Sequence, residues 1–172
     1  MENNIFFSTN VIASIFYLSV GLISIVMYNK ANSNYNNTTS KIHSFKSFMY
    51  IYKLIQLSTL LVCIISLWSN NSLLYKLFNN TDIFKYIGVS ISGFGITMFA
   101  ISRFTLGKNY SPCYDSYIPK SINTKGIYSI IRHPIYTANL ILMFGIFISS
   151  ASLIFAINAT ILFLYYSASA II

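Results

Sequence analysis

The chain has 172 residues, 55% hydrophobic, 17% aromatic and only 8% charged. A soluble domain carries about 25% charged residues, so this composition excludes a water-covered globule and implies a single integral membrane domain spanning residues 1–172. The net charge of +8 sets eleven Lys/Arg against Glu2, Asp82 and Asp115. The basic residues lie between apolar segments, so membrane lipids and topology account for them, and nucleic acid is not an expected partner.

In chain order, apolar segments cover residues 5–28, 48–68, 84–104, 134–151 and 152–172. Each is close to the roughly 17–25 residues of a spanning helix. Open segments in lipid must pair their own backbone groups, which leaves helices. The expected fold is all-α: an integral membrane helical bundle of about five transmembrane helices. The first segment lacks a basic n-region and reads as a retained span, not a signal peptide. Within the spans, Gly88, Ser92, Gly93 and Gly95 favour close helix contact, Lys53 reads as a snorkelling side chain, and Asn158 reads as an interhelical hydrogen-bonding residue or a functional one. Ser149 to Ser152 reads as a short turn, making the last two spans an antiparallel hairpin.

The connections carry the charge. Lys30, Lys41 and Lys46 lie in the first, Lys76 and Lys85 with Asp82 in the second, and Arg103, Lys108, Lys120, Lys125 and Arg132 with Asp115 in the third. The positive-inside rule puts the first and third connections in the cytoplasm and the N-terminus outside. Cys63 and Cys113 form no metal-ligand or disulfide pattern.

The third connection, residues 105–133, is long, aromatic and polar, as functional loops often are. It ends in Gly126-Ile127-Tyr128-Ser129-Ile130-Ile131-Arg132-His133-Pro134-Ile135-Tyr136. Pro134 suits the first turn of a helix, whose N-terminus favours an anionic group. Arg132 and His133 add donors, and the rings of Tyr128 and Tyr136 suit a cation or a stacked base. Taken singly, an Arg-His pair at a membrane boundary is a headgroup anchor and interfacial tyrosines form a belt.

The spacing Gly126-x-Tyr128-x-x-x-Arg132-His133-Pro134-x-Tyr136 resembles the signature of the isoprenylcysteine carboxyl methyltransferase and phospholipid methyltransferase superfamily. Leu106-Gly107-Lys108-Asn109-Tyr110-Ser111-Pro112 is similar to the Leu-Gly-Arg-Asn-aromatic-Ser segment of its bacterial members. The resemblance implies a membrane methyltransferase with S-adenosylmethionine as cofactor. It implies a cofactor site of Tyr128, Arg132, His133, Pro134, Ile135 and Tyr136, with Ile122 as an apolar contact. It also implies a lipophilic methyl acceptor: an isoprenylcysteine carboxylate or a lipid headgroup. No catalytic residue and no metal site are assigned.

Two departures accompany the match. Where relatives read His-x-Leu-Val, this chain has Lys120-Ser121-Ile122-Asn123. Relatives continue past the last span with an arginine, an acidic cluster and a Gly-x-x-Tyr-x-x-Tyr stretch, whereas this sequence stops at Ile172. The expected site is then one wall of a pocket, in a truncated enzyme or a subunit completed by a partner chain. Two alternatives stay open: an inactive remnant or non-enzymatic membrane partner protein, and an NADPH-dependent enzyme like the sterol reductases.

Overall fold

The computed structural model describes Ile12 and residues 15–24, 41–44, 46–68, 77–79, 81–110, 115–117 and 123–171. Five helices occur among these residues: α1 (Ile15–Ser24), α2 (Lys46–Trp68), α3 (Asp82–Leu106), α4 (Pro134–Ser150) and α5 (Leu153–Ile171). The expectation of about five transmembrane helices is met in its coarser part. The bundle is helical, and α3 together with Leu153–Ala170 of α5 is long and apolar enough to cross a membrane. Ile15–Ser24 and α4 are shorter apolar helices.

The helix ends follow local chemistry. Asp82 lies in the first turn of α3 and pairs with Lys85 at 2.7 Å; Arg103 lies in its last turn, each charge matched to the helix dipole. Gly107, with a φ of +52°, ends α3 and donates its N–H to the Arg103 carbonyl. Pro134 opens α4. Ala151 closes it in the left-handed region at φ 54° and donates to the Phe147 carbonyl at 2.7 Å. Only Ala151 and Ser152 separate α4 from α5, and the two helices pack as a hairpin.

The most extensive helix contact is between α3 and α4, and glycine makes it close. A Cβ added to Gly95 would lie 2.6 Å from the Leu142 backbone nitrogen, and one added to Gly88 would lie 2.6 Å from the Gly145 carbonyl oxygen. In return, a Cβ at Gly145 would meet Ser92. Small residues spaced along one face let two backbones touch, the usual helix-packing device in lipid. Gly93 faces elsewhere, toward Phe16 of α1. The core lies at this seam and against α5, around Phe99, Leu142, Met143, Ile146 and Phe155. Large apolar side chains line the outer faces, including Leu54, Ile83, Phe94 and Leu164, each more than half exposed.

One feature departs from the all-α expectation. β1 (Lys41–Ser44) pairs antiparallel with β2 (Asp115–Tyr117), with Ser44 opposite Asp115 and an irregularity between Lys41 and His43. The strands come from the first and third connections, so those connections meet at one end of the bundle.

Candidate active site

The chain returns from α3 to α4 through two single-turn 3-10 helices, Gly107–Asn109 and Gly126–Ser129. The second is held against the end of α3 by side chains. Asn123 donates its amide to the Thr105 carbonyl at 2.5 Å, and its side-chain oxygen accepts from the Lys125 N–H at 3.1 Å. Tyr128 donates its hydroxyl to the Ser102 carbonyl at 3.4 Å. The Asn123 bond takes up the Thr105 carbonyl, one of those that the last turn of a helix leaves unpaired. Together these bonds fix the approach of Arg132 and His133 to Pro134.

Six of the sequence-derived residues then converge. Tyr128, Arg132, His133, Pro134, Ile135 and Tyr136 all line one cavity of about 130 Å³. Ile122, with Lys120 and Ser121 beside it, lies outside the described residues. The remaining wall comes from residues the motif did not indicate, among them Phe99, Tyr110, Asn139 and Tyr166. His133 stacks on Tyr136 with ring centres 5.2 Å apart and planes 8° apart. Tyr136 stacks in turn on Tyr166 at 4.6 Å and 14°. This three-ring pile ties the start of α4 to the last turns of α5. Such stacking adds about 0.5–1.5 kcal/mol per pair beyond burial.

Arg103 is the largest site-adjacent residue that sequence reasoning misplaced. Counted as a loop charge, it is instead fully buried in the last turn of α3. Its guanidinium carbon sits 3.3 Å from the centre of the Tyr110 ring, and its Nη2 donates to the Ser24 carbonyl at 3.4 Å. Arginine stacks on ring faces in this way because its planar charge is weakly hydrated. The contact folds Tyr110 back over the cavity and joins α1 to α3.

Tyr128 and His133 are both held toward their neutral forms. Burial pushes the Tyr128 hydroxyl up to about 12, and the nearby Arg103 charge offsets only part of that rise. Tyr128 is therefore a protonated donor at neutral pH and no base. Partial burial of its ring lowers His133 below its usual 6.5, and the Arg132 charge lowers it further.

A second cavity, of about 540 Å³, adjoins the first, and its lining is mostly apolar, with Val20, Ile55, Leu142 and Leu162. Lys53 and Gln56 face this cavity from α2. Ser24, Tyr52, Tyr110, Asn139 and Tyr166 line both cavities. Asn158 lines neither. It is buried in α5, and its amide nitrogen has no hydrogen-bond partner among the described residues.

The bundle combines two helices long and apolar enough to cross a membrane with a ring-lined cavity at the start of α4. Within it, residues 83–172 match the model of the phospholipid methyltransferase family, and the chain belongs to that family. No curated protein and no solved structure matches the chain. The matched residues contain α3, both 3-10 turns and the α4–α5 hairpin, and thus most of the smaller cavity's wall.

Proposed function

We propose that this chain is a membrane methyltransferase that uses S-adenosylmethionine and methylates a lipophilic acceptor carrying a polar head. The observation that supports it most is the pair of adjoining cavities. The smaller is ring-lined at the Arg132-His133-Pro134 loop and the more polar of the two, and the larger is mostly apolar. The residues suit the donor in kind. Tyr128 offers a ring face for a sulfonium cation or an adenine, and the α4 N-terminus with Arg132 suits a carboxylate. At about 130 Å³ the smaller cavity is below the about 300–1,000 Å³ of complete ligand sites and would hold one end of the molecule.

When bound, the donor supplies a methyl group on sulfur, open to in-line attack by an acceptor lone pair. The chain's own contribution is to position both reactants and keep water out. Tyr128, protonated, orients through its hydroxyl. His133, held neutral, presents an uncharged ring beside a cation. The apolar cavity would take the acceptor's hydrocarbon part from the bilayer. In this reading all five helices lie in the membrane, the N-terminus is outside, and the Arg132-His133 loop is cytoplasmic.

The test is binding and transfer in nanodiscs, using S-adenosylmethionine with a radiolabelled methyl group and extracted lipids or prenylcysteine analogues. Binding with label transfer to a lipophilic acceptor is the expected result. His133→Ala should weaken donor binding more than Lys125→Ala, because only His133 lines the cavity. Absence of both binding and transfer would overturn the proposal.

A further inference from the structure

Asn139 and Tyr166 stand where the two cavities meet. Both line the polar cavity and the apolar one, and both are more than nine-tenths buried. The Asn139 amide donates to the Tyr166 hydroxyl at 2.9 Å. That leaves the Asn139 carbonyl oxygen with no hydrogen bond among the described residues, although the residue lies on the cavity wall. The other polar groups shared by the two cavities have nearer engagements. The Tyr52 hydroxyl accepts from Gln56 at 2.9 Å, the Tyr110 ring covers Arg103, and the Ser24 carbonyl accepts from Arg103.

The pair is also rigid. Tyr166 is clamped between Tyr136, stacked at 4.6 Å, and Tyr165, edge-on at 5.6 Å and 69°. A carboxamide oxygen held in this way on a cavity wall is a ready acceptor for a ligand's N–H or O–H.

We infer that Asn139, fixed by Tyr166, is a positioning residue whose carbonyl oxygen accepts a hydrogen bond from the acceptor's polar head at the junction of the two cavities. This rests on the methyltransferase reading above. A carbonyl oxygen accepts and cannot donate, so the pair favours a head that keeps an N–H or O–H while its lone pair attacks. A carboxylate has no such hydrogen, and a neutral tertiary amine has none either. Tyr166 contributes by holding the amide nitrogen, which turns the oxygen toward the ligand.

The experiment compares octadecylamine with N,N-dimethyloctadecylamine as acceptors in nanodiscs, using wild type, Asn139→Leu and Tyr166→Phe. Tyr166→Phe keeps the ring stack and removes only the hydroxyl. Donor binding, measured in parallel, reports whether each variant is folded. Both residues line the smaller cavity, so the comparison is made at saturating S-adenosylmethionine. Under that condition, kcat/KM for the primary amine should fall about fivefold to tenfold, the effect of one lost hydrogen bond, while the value for the dimethyl amine stays within about twofold. An equal fall for both acceptors, or no fall, overturns the positioning role while leaving the methyltransferase reading standing. Transfer by wild type only to prenylated carboxylates overturns it as well. Failure of the wild-type protein to bind S-adenosylmethionine overturns the methyltransferase reading and this inference with it.

Discussion

At the scale of single residues, the site sets two groups kept uncharged, Tyr128 and His133, beside the charge of Arg132. Tyr128 holds its proton to about 12. His133 loses its proton below the usual 6.5, because protonating it would place a second cation beside Arg132 and leave the charge partly desolvated. This sets a direction for stability against pH. The unfolded chain takes up a proton near pH 6.5 and the folded chain only at lower pH, so folding is penalised as pH falls through that window. The contribution is complete above pH 6.5. Thermal melts in detergent should therefore show stability declining from pH 7 toward pH 5, and His133→Gln should flatten that slope. A slope unchanged in His133→Gln would mean that other groups titrate there.

Several of these residues were legible in the sequence. The Arg132-His133-Pro134 string and its flanking tyrosines are contiguous or nearly so, and local chain geometry alone brings them to the start of one helix. Asn139 and Tyr166 were not. Asn139 resembles Asn158, a lone amide in an apolar helix, and nothing local distinguishes the two. Asn139 faces the cavities, and Asn158 is buried away from them. Arg103 was misread because charge at the end of an apolar run ordinarily marks the water boundary. Here a ring face and a carbonyl accommodate it inside the bundle.

At the scale of elements, the α3–α4 seam carries most of the architecture. Gly88, Ser92 and Gly95 fall on one face of α3, and Gly93 does not. The sequence offered all four as contact residues, since it does not show which face meets which neighbour. The difference has a measurable sign. Gly95→Ala should lower stability by about 1–3 kcal/mol, because its Cβ meets backbone at 2.6 Å and α4 must move away. Gly93→Ala should raise stability by about 0.5–1 kcal/mol, since its nearest neighbour is Phe16 at 3.8 Å and alanine is the better helix former. Chemical denaturation in detergent micelles reads both; similar effects from the two would contradict this packing. The hairpin turn is a related case. The turn expected at Ser149 to Ser152 falls on the last two of those residues, Ala151 and Ser152, because α4 runs through Ser150. Two residues suffice because Ala151 adopts the left-handed conformation.

At the scale of the whole molecule, large apolar side chains stand on the outer faces of the bundle, and two connections meet at one end. The β1–β2 pairing joins the first and third connections there. The two most basic connections thus share a side, which is the arrangement the positive-inside rule requires of cytoplasmic loops. A single cysteine introduced as Ile130→Cys, with Cys63 and Cys113 replaced by serine, tests the orientation, because Ile130 is 85% exposed. An impermeant thiol reagent should label it in inside-out vesicles and leave it unlabelled in right-side-out ones; the reverse pattern would invert the proposed topology.

The sequence by itself determined the helical class, the apolar segments and the Arg132-His133-Pro134 motif. These depend on hydropathy over a helix length and on neighbours along the chain, both of which a sequence displays. Only the three-dimensional packing showed that Arg103 is buried, that Tyr136 stacks on Tyr166, and that a ring-lined cavity opens beside an apolar one. It also decided that Asn139 and Tyr166 meet at their border. Those facts depend on how helices rotate about their axes and how closely their backbones approach. That is set by glycine-mediated contact between segments far apart in sequence, and no local pattern records it.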